Sequence, residues 1–284
     1  MFLNPDNLLN AGSFLLLYII TFLIGKWIKT VISPYNLNKE LTEKNNIALA
    51  ISTAGYFIGI TAVYVGVYDG PNFDSWLMNV VHIGGYSLLG VVLINVSRFI
   101  NDKLILYKFS NNKEIIEDQN MGTGFVQAAS YIASGLIIGG ALHSEGGNII
   151  TSLAFFIFGQ ICLILFSLLY DWLTPYSVHG EIENENTAAG LGFSGGFIAI
   201  GIIVMKGVSG KFISWTDNLS NLAFNIEILF IYLIFVRFFF DKVIIPKADL
   251  NKQIAVKKSI SAGLLEFIIS ISFSITLFYI INHT

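Results

Sequence analysis

Eight long apolar segments restrict the fold of this chain more than any other feature of its sequence. A helix rises about 1.5 Å per residue, so roughly 20 apolar residues cross a hydrocarbon core of about 30 Å. Such runs lack the alternation of a membrane β-barrel, and a helix satisfies its own backbone hydrogen bonds in lipid. The sequence therefore predicts an all-α polytopic membrane protein with eight transmembrane helices. The predicted spans are 13–32, 47–67, 77–98, 121–142, 149–170, 187–207, 220–243 and 258–281.

The composition supports a membrane protein and argues against other classes. Only 12% of the residues are charged and 54% are hydrophobic, against roughly 25% charged residues in soluble proteins. The lipid bilayer is therefore the main expected partner. A net charge of −3 gives no reason to expect nucleic-acid binding. The single cysteine, Cys162, excludes an intramolecular disulfide.

A two-helix unit occurs four times, and each copy holds an apolar helix, a polar turn, an Asn or Gln, and a second helix rich in small residues. The regular spacing divides the chain into two four-helix units, residues 1–143 and 144–284, of two repeats each. The Asn or Gln positions are Asn45, Asn120, Asn186 and Gln253, at intervals of 75, 66 and 67 residues. Ten residues after them stand Gly55, Ser130, Gly196 and Gly263.

Two interpretations of the repeated Asn remain open. Its side chain can cap the free N–H groups at the start of the second helix, where acidic residues just upstream also favour the helix dipole. Alternatively, the four positions converge on a binding site. The small residues likewise allow two interpretations, namely close packing of helix backbones or a glycine-lined pore.

The basic residues predict the orientation of the chain. Fourteen of the 16 lie within or next to the loops joining spans 1–2, 3–4 and 7–8, and the other two are Lys206 and Lys211. Short cytoplasmic loops carry an excess of Lys and Arg. We therefore expect a multi-pass protein of a bacterial plasma membrane with both termini outside.

Two predicted ion pairs mark the inner ends of the third and seventh spans. Arg98 precedes Asp102, and Arg237 precedes Asp241, by four residues. Residues at this spacing share one helix face. The pairs serve either as interfacial anchors, with the basic side chain reaching the lipid phosphates, or as a gate at the inner mouth.

Four polar side chains are predicted to lie deep in the membrane. Glu227 and Glu266 are the two acids inside the spans, and the amides are Asn95 and Gln160. Intramembrane carboxylates point to function by default, and buried amides usually bond a neighbouring helix. The two carboxylates make either a protonated structural hydrogen bond or a proton- or cation-linked site.

The sequence gives no sign of catalytic chemistry. It contains no HExxH, GxSxG, P-loop or CxxC motif, so we expect neither an enzyme nor a bound cofactor. His82 and His143 belong to the outer side, where no spacing forces them to converge, and we expect no metal site.

The segments NNIALAISTAGYFIG and NTAAGLGFSGGFIAIG carry the tandem two-helix unit, the Asn-x-x-Ala opening and the small-small-aromatic centre. In these features the chain resembles the YjfL-like bacterial inner-membrane family, domain of unknown function 350, here as two tandem copies. The resemblance implies an inner-membrane location and assigns no catalytic or binding residue.

Two functions follow as expectations. The first is a non-enzymatic integral membrane protein that acts as a scaffold or partner in an envelope-associated assembly. The alternative is a small-ion or proton-linked channel or transporter that uses Glu227 and Glu266. Membrane or envelope protein partners and homo-oligomerisation are left open.

Overall fold

The computed structural model describes residues 5–106, 108, 110–144, 146–244 and 249–283. This part of the chain is helical and contains no strand. Eight of its α-helices are long and apolar enough to cross a membrane, which confirms the predicted fold class. The α-helices are α1 (Pro5–Ile32), α2 (Leu37–Thr42), α3 (Ile47–Tyr68), α4 (Trp76–Ile100), α5 (Asn111–Ile116), α6 (Met121–Leu142), α7 (Ile149–Leu173), α8 (Val178–Glu183), α9 (Thr187–Val208), α10 (Trp215–Phe239) and α11 (Ile260–His283).

Short helical segments join the two spanning helices of each repeat. They are α2, α5, α8 and, in the fourth repeat, the π-helical turn Lys252–Val256. We call the end of the bundle that carries these segments the connector end. Two further π-helical turns, Asn101–Ile105 and Phe240–Ile244, extend α4 and α10 at this end. The second and fourth repeats therefore share a lengthened first helix.

The second helices of the four repeats form one row, in which α3 packs on α6, α6 on α9, and α9 on α11. A Cβ atom added to Gly190 of α9 would lie 2.5 Å from the Cα atom of Gly122 in α6, and one added to Gly135 would lie 2.4 Å from the carbonyl oxygen of Gly59 in α3. The small residues thus face neighbouring backbones. This arrangement confirms close packing as their purpose, rather than the lining of a pore.

The remaining long helices cover the row. α4 contacts α3 and α6, α7 contacts α6 and α9, α10 lies on α9, and α1 lies against α3 and α4. The contact between α6 and α9 crosses the predicted boundary at residue 143. One hydrophobic core, which includes Val126 of α6 and Phe193 of α9, therefore extends across both halves.

Three asparagines at the connector end hold successive repeats together. The Oδ1 atom of each one caps its own helix by accepting the N–H group three residues on, and its Nδ2 atom donates to a backbone carbonyl in the next repeat. Each repeat is therefore fixed to the connector of its successor. The donor and acceptor residues, with their distances, are Asn46 and Ile115 (2.8 Å), Asn120 and Ile182 (2.6 Å), and Asn186 and Ile254 (2.9 Å).

The predicted repeat register is wrong in the first and last copies. Asn46 is the cap of α3, whereas Asn45 precedes it with a φ of 50°. In the last repeat the hydroxyl of Ser259 takes the cap position, and Gln253 lies in the connector. Two adjacent asparagines cannot be distinguished by spacing. A serine hydroxyl can cap a helix as an asparagine side chain does, so the cap position need not carry an amide.

Candidate functional site

A buried carboxylate lies near the connector end where α7, α10 and α11 meet. Glu266 of α11 is 6% exposed. Its Oε1 atom accepts the hydroxyl of Tyr170 at 3.0 Å and lies 3.8 Å from Nη1 of Arg237. The absence of a side chain at Gly192 leaves room for Oε2, since a Cβ there would lie 2.5 Å from that oxygen. One hydrogen bond and one cation therefore hold the carboxylate.

The guanidinium of Arg237 is positioned by groups from three segments. Its Nη2 atom donates to Oδ1 of Asn251 at 2.7 Å, and its Cζ atom lies 5.6 Å from the centroid of the Tyr170 ring. Tyr176, in the connector after α7, lies close to the same guanidinium. Burial raises the pKa of Tyr176, so its hydroxyl stays protonated at neutral pH.

A small cavity of about 40 Å³ adjoins this cluster. Apolar side chains make up most of its wall, and the charged groups on the wall are Arg237 and Glu266. Leu173, on the rim, is 40% exposed, so the cavity is not sealed along α7. The lining residues are Phe166, Leu169, Tyr170, Leu173, Gly196, Tyr232, Val236, Arg237, Phe240, Glu266, Ile269 and Ser270.

The first half of the chain has a related cluster with a different charge. Lys29 is 1% exposed, and its ammonium lies 4.8 Å from the ring centroid of Tyr56 and 5.0 Å from that of Tyr131. Two aromatic faces therefore hold this cation. Arg98 of α4 forms an ion pair with Asp102 at the same end of the bundle.

The two clusters occupy matching places in the repeats but carry different side chains. Arg98 and Arg237 each lie two residues before the end of their α-helix. The residues seven positions after the caps differ, however. Gln127 follows Asn120 in the first half, and Glu266 follows Ser259 in the second half. The amide of Gln127 is hydrogen-bonded by Ser52 of α3. The buried carboxylate therefore belongs to the second half.

The four polar residues predicted to lie in the membrane do not come together. The amide of Asn95 donates to the hydroxyl of Tyr56 at 3.1 Å, and that of Gln160 donates to Ser134 at 3.3 Å. Each amide thus bonds a neighbouring helix, as predicted. Glu227 lies on an exposed face of α10, and no hydrogen bond or ion pair reaches it from the described residues.

Glu227 therefore makes no hydrogen bond or ion pair with Glu266 among the described residues, and a shared proton- or cation-linked role stays a prediction. The buried positions of α10 include Leu222, Asn225 and Leu229, spaced at three and four residues, and Glu227 falls between them. Sequence position indicates how deep a residue lies along a helix, but it does not say which way the side chain points.

One of the two predicted ion pairs lies within the described side chains. Nε of Arg98 is 3.8 Å from Oδ2 of Asp102, whose other oxygen accepts from Asn111 at 2.6 Å. The side chain of Asp241 lies outside the described residues, so its predicted contact with Arg237 is not described. The contact between Arg237 and Glu266 was not predicted.

Sequence reasoning also missed Lys29 and Tyr170 as site residues. Lys29 stands among the basic residues next to the first loop, yet it is buried. A signal was present, because Lys29 and Tyr170 lie five residues before Pro34 and Pro175, respectively. The same repeat position therefore carries the cation of Lys29 in the first half and the phenol of Tyr170 in the second half.

Two comparisons with known proteins find similarity to this chain. The model of the family described as Domain of Unknown Function (DUF350) matches residues 2–142 and again residues 145–281. A UPF0719 transmembrane protein of Aquifex aeolicus (strain VF5) is 25% identical over 179 residues, which make up 62% of this chain and 64% of that protein. The match therefore spans less than two thirds of that relative's length. No solved structure matches the chain.

Proposed function

The chain belongs to the DUF350 family, in two tandem copies, and on that premise we propose that it is a non-enzymatic integral membrane protein. It acts as a scaffold or partner in an envelope-associated assembly of a bacterial inner membrane. Both termini lie outside, because the connector end carries most of the basic residues. The proposal includes no cofactor and leaves the identity of the protein partner open.

The observation that carries this proposal is the close packing within the row of second helices. A conduit needs a continuous polar path between helices, whereas α3, α6, α9 and α11 meet backbone to backbone at glycines. Asn95 and Gln160 bond separate helix pairs, and Glu227 points away from the core. The polar groups that a transporter would line up are thus distributed over different contacts.

One observation favours a second candidate, a proton- or ion-linked role for Glu266 alone. A buried carboxylate inside a membrane protein is costly and usually marks a functional site. Glu266 has a phenol and a guanidinium within reach and adjoins a cavity. Glu227 has no part in this candidate because it does not reach the cluster.

Flux measurements in proteoliposomes separate the two candidates. We expect vesicles containing the purified protein to pass protons, Na⁺ and K⁺ no faster than protein-free vesicles, because the row leaves no polar path. An added ionophore gives the positive control for each ion. A protein-dependent flux that is lost in Glu266→Gln and kept in the matched variant Glu227→Gln would overturn the scaffold proposal and support the second candidate.

A further inference from the structure

A larger cavity lies at the end of the bundle opposite the connectors, which we call the far end. It is lined by the last turns of α3, α6, α9 and α11, and its volume is about 630 Å³. Small-molecule sites typically have volumes of roughly 300–1,000 Å³. Gly66, Gly139 and Gly140 form part of the wall, and because glycines carry no side chain they leave this space open.

The cavity opens within the membrane-spanning part of the helices. Val65 of α3 and Tyr279 of α11 line it, and they are 56% and 60% exposed, respectively. Both residues lie inside candidate membrane spans, Ile47–Tyr68 and Ile260–Ile281. A molecule that enters between them therefore comes from the lipid phase.

An apolar track leads from the cavity along α6. Between Gly122 and Leu142, the residues of this helix that are not buried are Phe125, Ile132 and Leu136. Their spacing of seven and four residues places them on one helix face. Leu136 also lines the cavity. An acyl chain that begins in the cavity can therefore continue over Leu136 and Ile132.

A cation lies at the polar edge of the cavity. Lys206 is two residues before the end of α9, and its ammonium lies 5.9 Å from the ring centroid of Phe278. No acid among the described residues forms an ion pair with it. A lysine near the end of a spanning helix is at the depth of the lipid phosphates. Asp69, on the α3 side of the cavity, would repel a second anionic group.

We propose that this cavity binds one glycerophospholipid from the leaflet at the far end. Its phosphate pairs with Lys206, and one acyl chain lies over the glycines and continues along Leu136 and Ile132. The inference goes beyond the scaffold role and does not depend on it, since lipid occupancy and ion flux are measured separately.

Native mass spectrometry of the full chain in detergent tests the assignment. The protein is mixed with equal amounts of phosphatidylglycerol and of diacylglycerol with the same chains, which lacks the phosphate. We expect one phosphatidylglycerol to bind about tenfold more tightly than diacylglycerol, as for one charge-assisted pair. In Lys206→Gln the preference should fall to within about twofold, because the cation is lost. Lys206→Arg, which keeps the charge, should retain it.

The matched control is Lys211→Gln, which removes the same charge five residues further on. Lys211 is exposed and does not line the cavity, so this variant should keep the wild-type preference. Equal binding of the two lipids by the wild type would overturn the proposal. Retention of the preference in Lys206→Gln, or its loss in Lys206→Arg or Lys211→Gln, would do the same.

Two further outcomes identify other occupants. In one arm, soluble glycerol phosphate is added at the same concentration as the lipid. Displacement of the lipid would assign the site to a soluble phosphate and overturn the lipid assignment, whereas retention of the lipid supports it. A wild-type dimer that binds no lipid would assign the cavity to a second copy of this chain and would also overturn it.

Discussion

Replacing Gly190 with valine is expected to lower the free energy of unfolding by about 3 kcal/mol, the upper end of the usual cost of overpacking. The first added carbon would lie 2.5 Å from the Cα atom of Gly122, so α6 and α9 would have to separate. Backbone atoms cannot move aside as a flexible side chain can. Unfolding of the purified protein by SDS in mixed micelles, followed by circular dichroism, measures the change.

The matched control is Gly85→Val in α4. A Cβ added at Gly85 has no atom within 4 Å, so the same substitution in another spanning helix should change stability by at most about 0.5 kcal/mol. An equal loss in the two variants would mean that valine in a spanning helix, rather than the contact between α6 and α9, causes the effect.

A second large loss in the free energy of unfolding is expected for Arg237→Met, which removes the cation beside Glu266. Leaving one charge of a fully buried pair unpaired costs about 3–5 kcal/mol. We expect about 2–3 kcal/mol because the side chain of Arg237 keeps 23% of its exposure. The double variant with Glu266→Gln should recover part of the loss, since it removes the unpaired charge. SDS unfolding of the single and double variants gives the interaction energy.

The first half supplies the control for this experiment. Arg98 pairs with Asp102, but that carboxylate is 29% exposed, against 8% for Glu266, and it also accepts from Asn111. Arg98→Met should therefore lower the free energy of unfolding by about 1 kcal/mol or less, because Asp102 keeps part of its solvent contact and its bond from Asn111 when the arginine is removed. A loss as large as that of Arg237→Met, or strict additivity in the double variant, would contradict the account of Glu266.

Hydropathy and small-residue spacing were sufficient to predict the spans and the close approach of helix backbones at small residues, but not the order of helices in the row. Each rests on a single physical quantity, the thickness of hydrocarbon for the spans and the approach of backbones for the glycines. The capping role of Asn120 and Asn186 could also be predicted, because a cap bonds to residues next to it in the chain. The residues that produce these features can be recognised from local sequence, although the glycine contacts join distant repeats.

The candidate site depends on contacts that local sequence does not encode. Tyr170 and Glu266 are 96 residues apart, and Arg237 comes from a third helix. The exposed face of Glu227 could not be predicted either, because a helix rotates about 100° per residue and apolar residues occur on every side of these spans. The burial of Lys29 likewise follows from the positions of Tyr56 and Tyr131.

The two halves share one row of helices, and cysteine cross-linking in native membranes tests this arrangement most directly. In a Cys162→Ser background, Gly122→Cys is paired with Thr187→Cys, because a Cβ at Gly122 would lie 3.5 Å from the Cα atom of Thr187. A control pairs Gly122→Cys with Leu264→Cys in α11, a helix that does not pack on α6.

A protease site between α6 and α7 then separates the halves. We predict that oxidation keeps the two fragments covalently linked in the Gly122→Cys, Thr187→Cys protein. In the control protein the fragments should separate. Free fragments in the first pair, or equal cross-linking in both, would contradict the account.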